Sequence, residues 1–157
     1  MTYACKWREK GFDIDATAEW LEDNKLKLCH WFTVDDLFFL KRGGRVSAAT
    51  AVLGTMMRIK PVMHVDDQGR LINVAKARGR KASLDALVDH MEQTAFTPEK
   101  QTIYISHGDC IEDAEYVADQ CRKRLHVKDV LIHYVDPVIG AHSGPGTVAL
   151  FFVGSKR

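Results

Sequence analysis

The sequence of 157 residues lacks the features that mark several large classes of protein. Its 22 lysines and arginines nearly balance 21 acidic residues, so the net charge of +1 provides no general attraction for nucleic acid. Its longest apolar run, near residues 148–153, is far shorter than the ~18 residues that a membrane span requires. Residues 1–10 also lack the apolar segment of a signal peptide. We therefore expect a cytoplasmic protein without a membrane span and without nucleic acid as a partner.

Cysteine is scarce and is not arranged as in a metal site or a disulfide framework. The four cysteines, Cys5, Cys29, Cys110 and Cys121, form no CxxC pair and show no zinc-site spacing with histidine. We expect reduced thiols and no metal. The glycines match neither a P-loop nor a dinucleotide-binding fingerprint, so the sequence indicates no cofactor.

The patterns that are present predict one domain that contains both helices and strands. With 46% hydrophobic residues, the chain can bury a core without disulfides. Leu84, Leu87, Val88 and Met91 have the i, i+3, i+4, i+7 spacing of an amphipathic helix at Lys81–Gln93. Short apolar runs bounded by turn residues predict strands at 29–33, 59–65, 70–78, 102–106, 129–135 and 147–153. Further helices are predicted at 13–26, 35–42, 47–57 and 109–125.

This order mixes hairpins with crossover connections, which predicts an α/β (α+β) fold. We expect a two-layer sandwich in which helices pack on a mixed or antiparallel sheet. Residues 12–157 form this single domain in our prediction. Residues 1–11 are polar and basic, and we expect them to form a surface tail.

A cluster of glycines is the first candidate site. The segment Gly140-Ala141-His142-Ser143-Gly144-Pro145-Gly146 is predicted to be a turn between two strands. Glycines in such a turn can direct successive amide groups toward one point and hold an anion, to which His142 could donate. The alternative is a turn that needs its glycines only for backbone shape.

The second candidate is an arginine after a helix end, in Leu40-Lys41-Arg42-Gly43-Gly44-Arg45. The negative end of the helix dipole explains Lys41 and Arg42, and Gly43 is a typical C-cap. Neither effect explains Arg45, which follows a tight turn and could donate to a carboxylate or a phosphate.

Alternating basic residues form a third candidate, in Lys76-Ala77-Arg78-Gly79-Arg80-Lys81. In a strand, Lys76, Arg78 and Arg80 would lie exposed on one face. Such charges protect an edge strand from aggregation. The same face could also bind an acidic partner or a phosphorylated ligand, and both interpretations stay open.

The segment His107-Gly108-Asp109-Cys110 raises an alternative function, a small hydrolase or transferase that uses Cys110 or His142. Cys110 is predicted in the first turn of a helix, where the dipole favours a thiolate. A nucleophile would need a base from elsewhere in the fold, and the sequence does not identify that base.

Five segments in a fixed order resemble the DegV family of bacterial proteins. They are Asp35-Asp36-Leu37, Leu40-Lys41-Arg42-Gly43-Gly44-Arg45, Ile59-Lys60-Pro61-Val62, Lys76-Ala77-Arg78-Gly79, and Pro137-Val138-Ile139-Gly140-Ala141-His142-Ser143-Gly144-Pro145-Gly146. The resemblance covers the chain from about Phe12 onward. It implies a cytoplasmic lipid-binding protein, not an enzyme, that binds a long-chain fatty acid and carries it for a fatty acid kinase subunit.

Members of this family have two domains, and this chain resembles the linking helix and the second domain. We therefore expect the first domain to be absent, fatty acid binding by this chain alone to be weak, and the uncovered domain face to self-associate. That face lies near the turn at 140–146 and the helix at 47–57. The helix supplies candidate wall residues Leu53, Met56 and Met57.

The resemblance also implies roles for the candidate residues. His142 would lie near the ligand head group, in the turn that includes Gly140, Ser143 and Gly144. Arg45, or alternatively Arg42, would belong to the same wall. The surface that contacts the kinase would include Lys76, Arg78, Arg80 and Lys81.

Overall fold

Apolar strands of the chain assemble into one six-stranded sheet in the computed structural model, which describes residues 2–47, 59–155 and 157. The strands are β1 (Leu28–Thr33), β2 (Ile59–Val65), β3 (Leu71–Arg78), β4 (Thr102–His107), β5 (Asp129–Tyr134) and β6 (Val148–Val153). The helices are α1 (Thr2–Glu9), α2 (Ile14–Asn24), α3 (Leu37–Arg42), α4 (Arg80–Thr94), α5 (Ile111–Leu125) and α6 (Pro137–Ser143). Short 3-10 turns occupy Lys25–Lys27 and Pro98–Lys100.

The strand order in the sheet is β3-β2-β1-β6-β4-β5. Neighbouring strands are antiparallel except β4 and β5, which are parallel because α5 connects them as a crossover. The sheet is therefore mixed, which confirms the predicted α/β class.

Helices α4 and α5 cover one face of the sheet and form the main core with it. Leu84, Leu87, Val88 and Met91 lie on the buried side of α4, as their spacing predicts. Alternate residues of β6, among them Leu150 and Phe152, point into the same core. The intervening residues of each strand must then point to the opposite face, which we call the second face.

The second face is covered by smaller elements near one end of the strands. A separate apolar cluster there joins the end of β1 to α3 and β2, through Phe32, Val34, Leu37, Leu40 and Met63. Helix α6 packs beside α3. The predicted helix at 47–57, with its candidate wall residues Leu53, Met56 and Met57, lies almost wholly outside the described residues.

Two segments differ from the sequence predictions. Residues 1–11 were expected to form a surface tail, but α1 forms there and packs on α2 through aromatic rings. The ring centroids of Trp7 and Trp20 are 5.2 Å apart, and those of Trp7 and Phe12 are 4.1 Å apart. Residues Pro137–Ser143, expected to be part of a turn, form α6.

Candidate ligand-binding groove

An apolar groove of about 450 Å³ crosses the second face between the sheet and helices α3 and α6. This volume falls within the ~300–1,000 Å³ range of small-molecule sites. Aliphatic and aromatic side chains dominate its surface, namely Phe32, Leu40, Val65, Leu71, Val135, Val138, Ile139, Ala149 and Phe151. Polar groups also reach it, from His30, Arg45, Ser106, Asp136, His142, Ser143 and Thr147. The groove therefore suits a mainly apolar ligand that has a polar end.

Helix α6 supplies one wall of the groove and begins at a well-formed cap. The carboxylate of Asp136 accepts hydrogen bonds from the amides of Val138 (2.9 Å) and Ile139 (3.1 Å). Pro137 occupies the first helical position, where its missing amide hydrogen costs nothing. These local interactions place His142 in the last turn of the helix, beside α3.

The glycines of this segment do not form the anion-binding nest that their spacing suggested. The Gly140 amide donates to the carbonyl of Asp136, and the Gly144 amide donates to the carbonyl of Gly140, each at 2.8 Å. The hydroxyl of Ser143 donates to the carbonyl of Ile139 at 2.9 Å. These amide groups already donate within α6. The glycines therefore serve the shape of the backbone, which was the alternative interpretation, and only side chains remain to bind a head group.

The side chains of Arg45 and His142 meet at one end of the groove. Nη2 of Arg45 lies 3.5 Å from Nε2 of His142, although 97 positions separate the two residues in sequence. A second guanidinium nitrogen, Nη1, donates to the carbonyl of Gly43 at 2.7 Å and holds the side chain in place. A Cβ built on Gly43 would overlap the His142 ring, so this close approach requires glycine. Both residues lie where a carboxylate could accept from them together.

Arg42, the alternative to Arg45, points elsewhere. Its guanidinium lies over the Phe39 ring, 4.4 Å from the ring centroid. Arg42 is not among the residues that line the groove, whereas Arg45 is. The geometry therefore favours Arg45 as the arginine of the ligand wall.

The basic segment divides into exposed and buried parts. Lys76 and Arg78 are exposed on β3, and Lys81 is exposed at the start of α4. Arg80, expected to share their exposed face, instead turns toward α5. Its Nη2 lies 2.7 Å from a carboxylate oxygen of Asp113 and donates to the carbonyl of Gly146 at 2.6 Å. The prediction for Arg80 was wrong because the strand ends at Arg78 and the helix reorients the next side chains.

Cys110 lacks the surroundings of a nucleophile. Its thiol donates to the carbonyl of Thr147 at 3.3 Å, and burial raises the pKa of the thiol above its ordinary value. Nδ1 of His107 accepts from the Cys110 amide at 3.2 Å and so faces the backbone. The geometry therefore gives no support to the hydrolase or transferase alternative at this thiol. Within the described part of the chain, no cluster of three or more His, Cys, Asp or Glu residues could hold a metal.

Comparison with known proteins identifies the family. The model of the DegV family, a family of uncharacterised proteins, matches residues 1–155. The chain belongs to the DegV family. Curated DegV domain-containing proteins from Clostridium perfringens and Lactococcus lactis are 49% and 36% identical to it, over 155 and 151 residues. These alignments cover 99% and 96% of this chain but 53% and 52% of the relatives, so the chain spans about half their length.

Solved structures of DegV proteins share the fold. The Eubacterium eligens protein, loaded with heptadecanoic acid, has a TM-score of 0.88 at 19% identity and covers 97% of this chain and 54% of its own. The fatty acid binding DegV protein of Streptococcus agalactiae has a TM-score of 0.81 at 28% identity, with coverage of 98% and 54%. The fatty acid kinase B3 protein of Streptococcus pneumoniae, loaded with linoleic acid, has a TM-score of 0.88 at 16% identity, with coverage of 97% and 53%. The predicted resemblance to the DegV family is confirmed.

Sequence reasoning missed Asp136 and Thr147 of this DegV groove, and also two polar strand residues, His30 and Ser106. They lie on β1 and β4 and alternate with residues that face the main core. The period-two pattern of each strand could have assigned them to the second face. It could not have shown that this face carries a groove. Among residues 2–47, 59–155 and 157, no helix is long and apolar enough to cross a membrane.

Proposed function

We propose that this chain forms one half of a binding site for a long-chain fatty acid. The observation that carries the proposal is an apolar groove that ends at two converging donors, Arg45 and His142. Each methylene of an acyl chain gains about 0.8 kcal/mol when it is fully buried, so such a groove favours a long chain. The Streptococcus agalactiae relative, 28% identical, is described as fatty acid binding, which supports the same ligand class here.

In this proposal the carboxylate lies between Arg45 and His142. Two charge-assisted hydrogen bonds, each worth about 1.5–3 kcal/mol, would hold it. The bond from Nη1 of Arg45 to the Gly43 carbonyl fixes the guanidinium before the ligand arrives. Fixing a donor in advance reduces the entropy lost on binding.

The groove is open along one side, which supports the idea of a half site. Val138 and Ile139 at its mouth are 67% and 51% exposed. An acyl chain laid in the groove would therefore bury one side only. We propose that fatty acid binding is weak until a second surface covers the mouth, either the remaining half of a longer DegV protein or a second copy of this chain.

The proposal assigns no catalytic step to the chain, which would act in the cytoplasm as an acyl carrier. Phosphoryl transfer to the fatty acid would belong to a separate fatty acid kinase subunit. The exposed cations Lys76, Arg78 and Lys81, at the junction of β3 and α4, would contact that subunit. Contacts of this kind mainly raise association rates and depend on salt. Arg78→Glu should therefore weaken kinase binding at low salt and reduce its dependence on salt.

Lipid extraction and mass spectrometry of the purified chain test the ligand class directly. Titration with oleate then tests the head-group site through Arg45→Gln and the matched control Arg42→Gln. We expect Arg45→Gln to weaken oleate binding by about 10- to 100-fold, the equivalent of one charge-assisted bond. Arg42→Gln should leave the affinity unchanged. Equal effects of both substitutions, or no effect of either, would refute the assigned head-group site.

A further inference from the structure

His30 places a polar ring inside the otherwise apolar part of the groove. It lies on β1 opposite Phe151 of β6, and the two rings meet edge to face with centroids 5.4 Å apart. The described residues offer no hydrogen-bond partner to either ring nitrogen of His30. One edge of the imidazole is thus available to whatever occupies the groove.

The imidazole is uncharged at neutral pH. Burial, together with the positive charge of Arg157, lowers the pKa of His30 to about 4. A neutral imidazole carries one N–H donor and one acceptor nitrogen. Water can satisfy both atoms while the groove is empty, but a plain acyl chain would displace that water and leave them unpaired.

The position of His30 along β1 indicates which part of an acyl chain it would meet. Thr33, at the end of β1, pairs with Val148, which follows the segment that carries His142. His30 lies three residues back along the strand, a distance of about 10 Å. It therefore faces the interior of a bound chain instead of its carboxylate.

We propose that His30 selects acyl chains that carry an oxygen substituent, such as a hydroxyl or keto group, within the chain. This inference rests on the proposed function, because it assumes that an acyl chain occupies the groove. An oxygen at this depth would replace the displaced water and hydrogen-bond to the ring. Sites built to bond a substrate oxygen discriminate against the analogue that lacks it.

The test compares the affinity of the full chain for 9-hydroxystearate, stearate and 2-hydroxystearate. We expect 9-hydroxystearate to bind about tenfold more tightly than the other two, the value of one hydrogen bond to a neutral group. His30→Leu should abolish this preference, and His30→Gln should retain part of it because the amide still donates. His133→Leu is the matched control. His133 lies on β5, where it pairs with Ser106 of β4. Its side chain is exposed and lies outside the groove.

The outcomes separate the two proposals. If stearate binds and 9-hydroxystearate gains nothing, the role of His30 is refuted while fatty acid binding stands. A preference that survives His30→Leu also refutes it. If none of the three probes binds, the proposed function and this inference both fail.

Discussion

Replacement of Gly144 by alanine should destabilise the fold because two costs act at the same position. Gly144 follows α6 with a φ of +78°, a left-handed conformation that side chains rarely adopt. A Cβ built there would lie 2.5, 2.6 and 2.9 Å from three atoms of the Phe39 ring. The ring belongs to α3, so the new methyl group would push apart the two helices that form one end of the groove.

The expected magnitude follows from adding these costs. At φ +78° and ψ 174°, a region that essentially only glycine adopts, a residue with a Cβ costs about 1–3 kcal/mol. Inserting a methyl group into a packed contact costs about 1–3 kcal/mol. We therefore expect Gly144→Ala to lower the free energy of unfolding by about 2–6 kcal/mol, a large part of the ~5–15 kcal/mol of a typical domain. Gly69→Ala is the matched control, with a φ of +77° and no atom within 4 Å of the added Cβ.

Urea unfolding followed by circular dichroism gives the free energy of unfolding of Gly144→Ala and of Gly69→Ala. Gly69→Ala should show only the conformational cost of about 1–2 kcal/mol. The difference between the variants then reports the contact with Phe39 together with any difference in backbone cost between the two positions. Equal destabilisation by both substitutions would show that Phe39 does not pack on Gly144 as described.

Three further predictions follow from contacts around the groove. Gly43→Ala should displace the His142 ring and weaken oleate binding by about tenfold in calorimetry, while unfolding in urea changes little. Arg80→Gln should lower the free energy of unfolding by about 1–3 kcal/mol in the same assay, because Asp113 loses a partly buried partner. Burial lowers the pKa of His30 from 6.5 to about 4, so the stabilisation from its neutral form is complete above pH 6.5 and lost as the pH falls toward 4. Over this pH range, the free energy of unfolding of His30→Leu should fall less than that of the unsubstituted protein.

Local patterns predicted most of the sheet and its main core. The spacing of Leu84, Leu87, Val88 and Met91 fixed both the presence of α4 and its buried side, since one periodic stripe suffices for both. The failures have a common cause. Helix α1 has no buried residue, and its aromatic side chains pack on α2, so its stability depends on a contact that no local pattern reveals. Helix α6 contains Gly140 and is followed by Gly144, both typical of turns, but the helix is stabilised by its Asp136 cap.

The candidate site could be predicted only in part. Arg45 was singled out because the helix end did not explain it, and His142 because it lies in the glycine cluster, while the family resemblance assigned both to the ligand wall. Arg45 and His142 are 97 positions apart in sequence, and their contact depends on how α3 and α6 pack. The spacing of residues in the sequence cannot show this packing. The exposure of Arg80 was predicted wrongly for the same reason, because Asp113 lies on a different helix. His30 was overlooked since a lone histidine in a strand gains meaning only from the groove around it.

The geometry of the second face predicts that the proposed ligand binding and the proposed self-association are coupled. Helix α6 has seven residues and is about 10 Å long, whereas the sheet of six strands is about 24 Å wide. The helix is therefore too short to cover the whole width of the second face. A bound acyl chain would add its own exposed side to the apolar surface of Val138 and Ile139, so a covering surface should bind the loaded chain more tightly. Coupling is reciprocal, and association should strengthen fatty acid binding by the same factor. Light scattering over a concentration series should therefore show more dimer with oleate than without. Dissociation by oleate would instead show that a second copy and the acyl chain compete for the same groove.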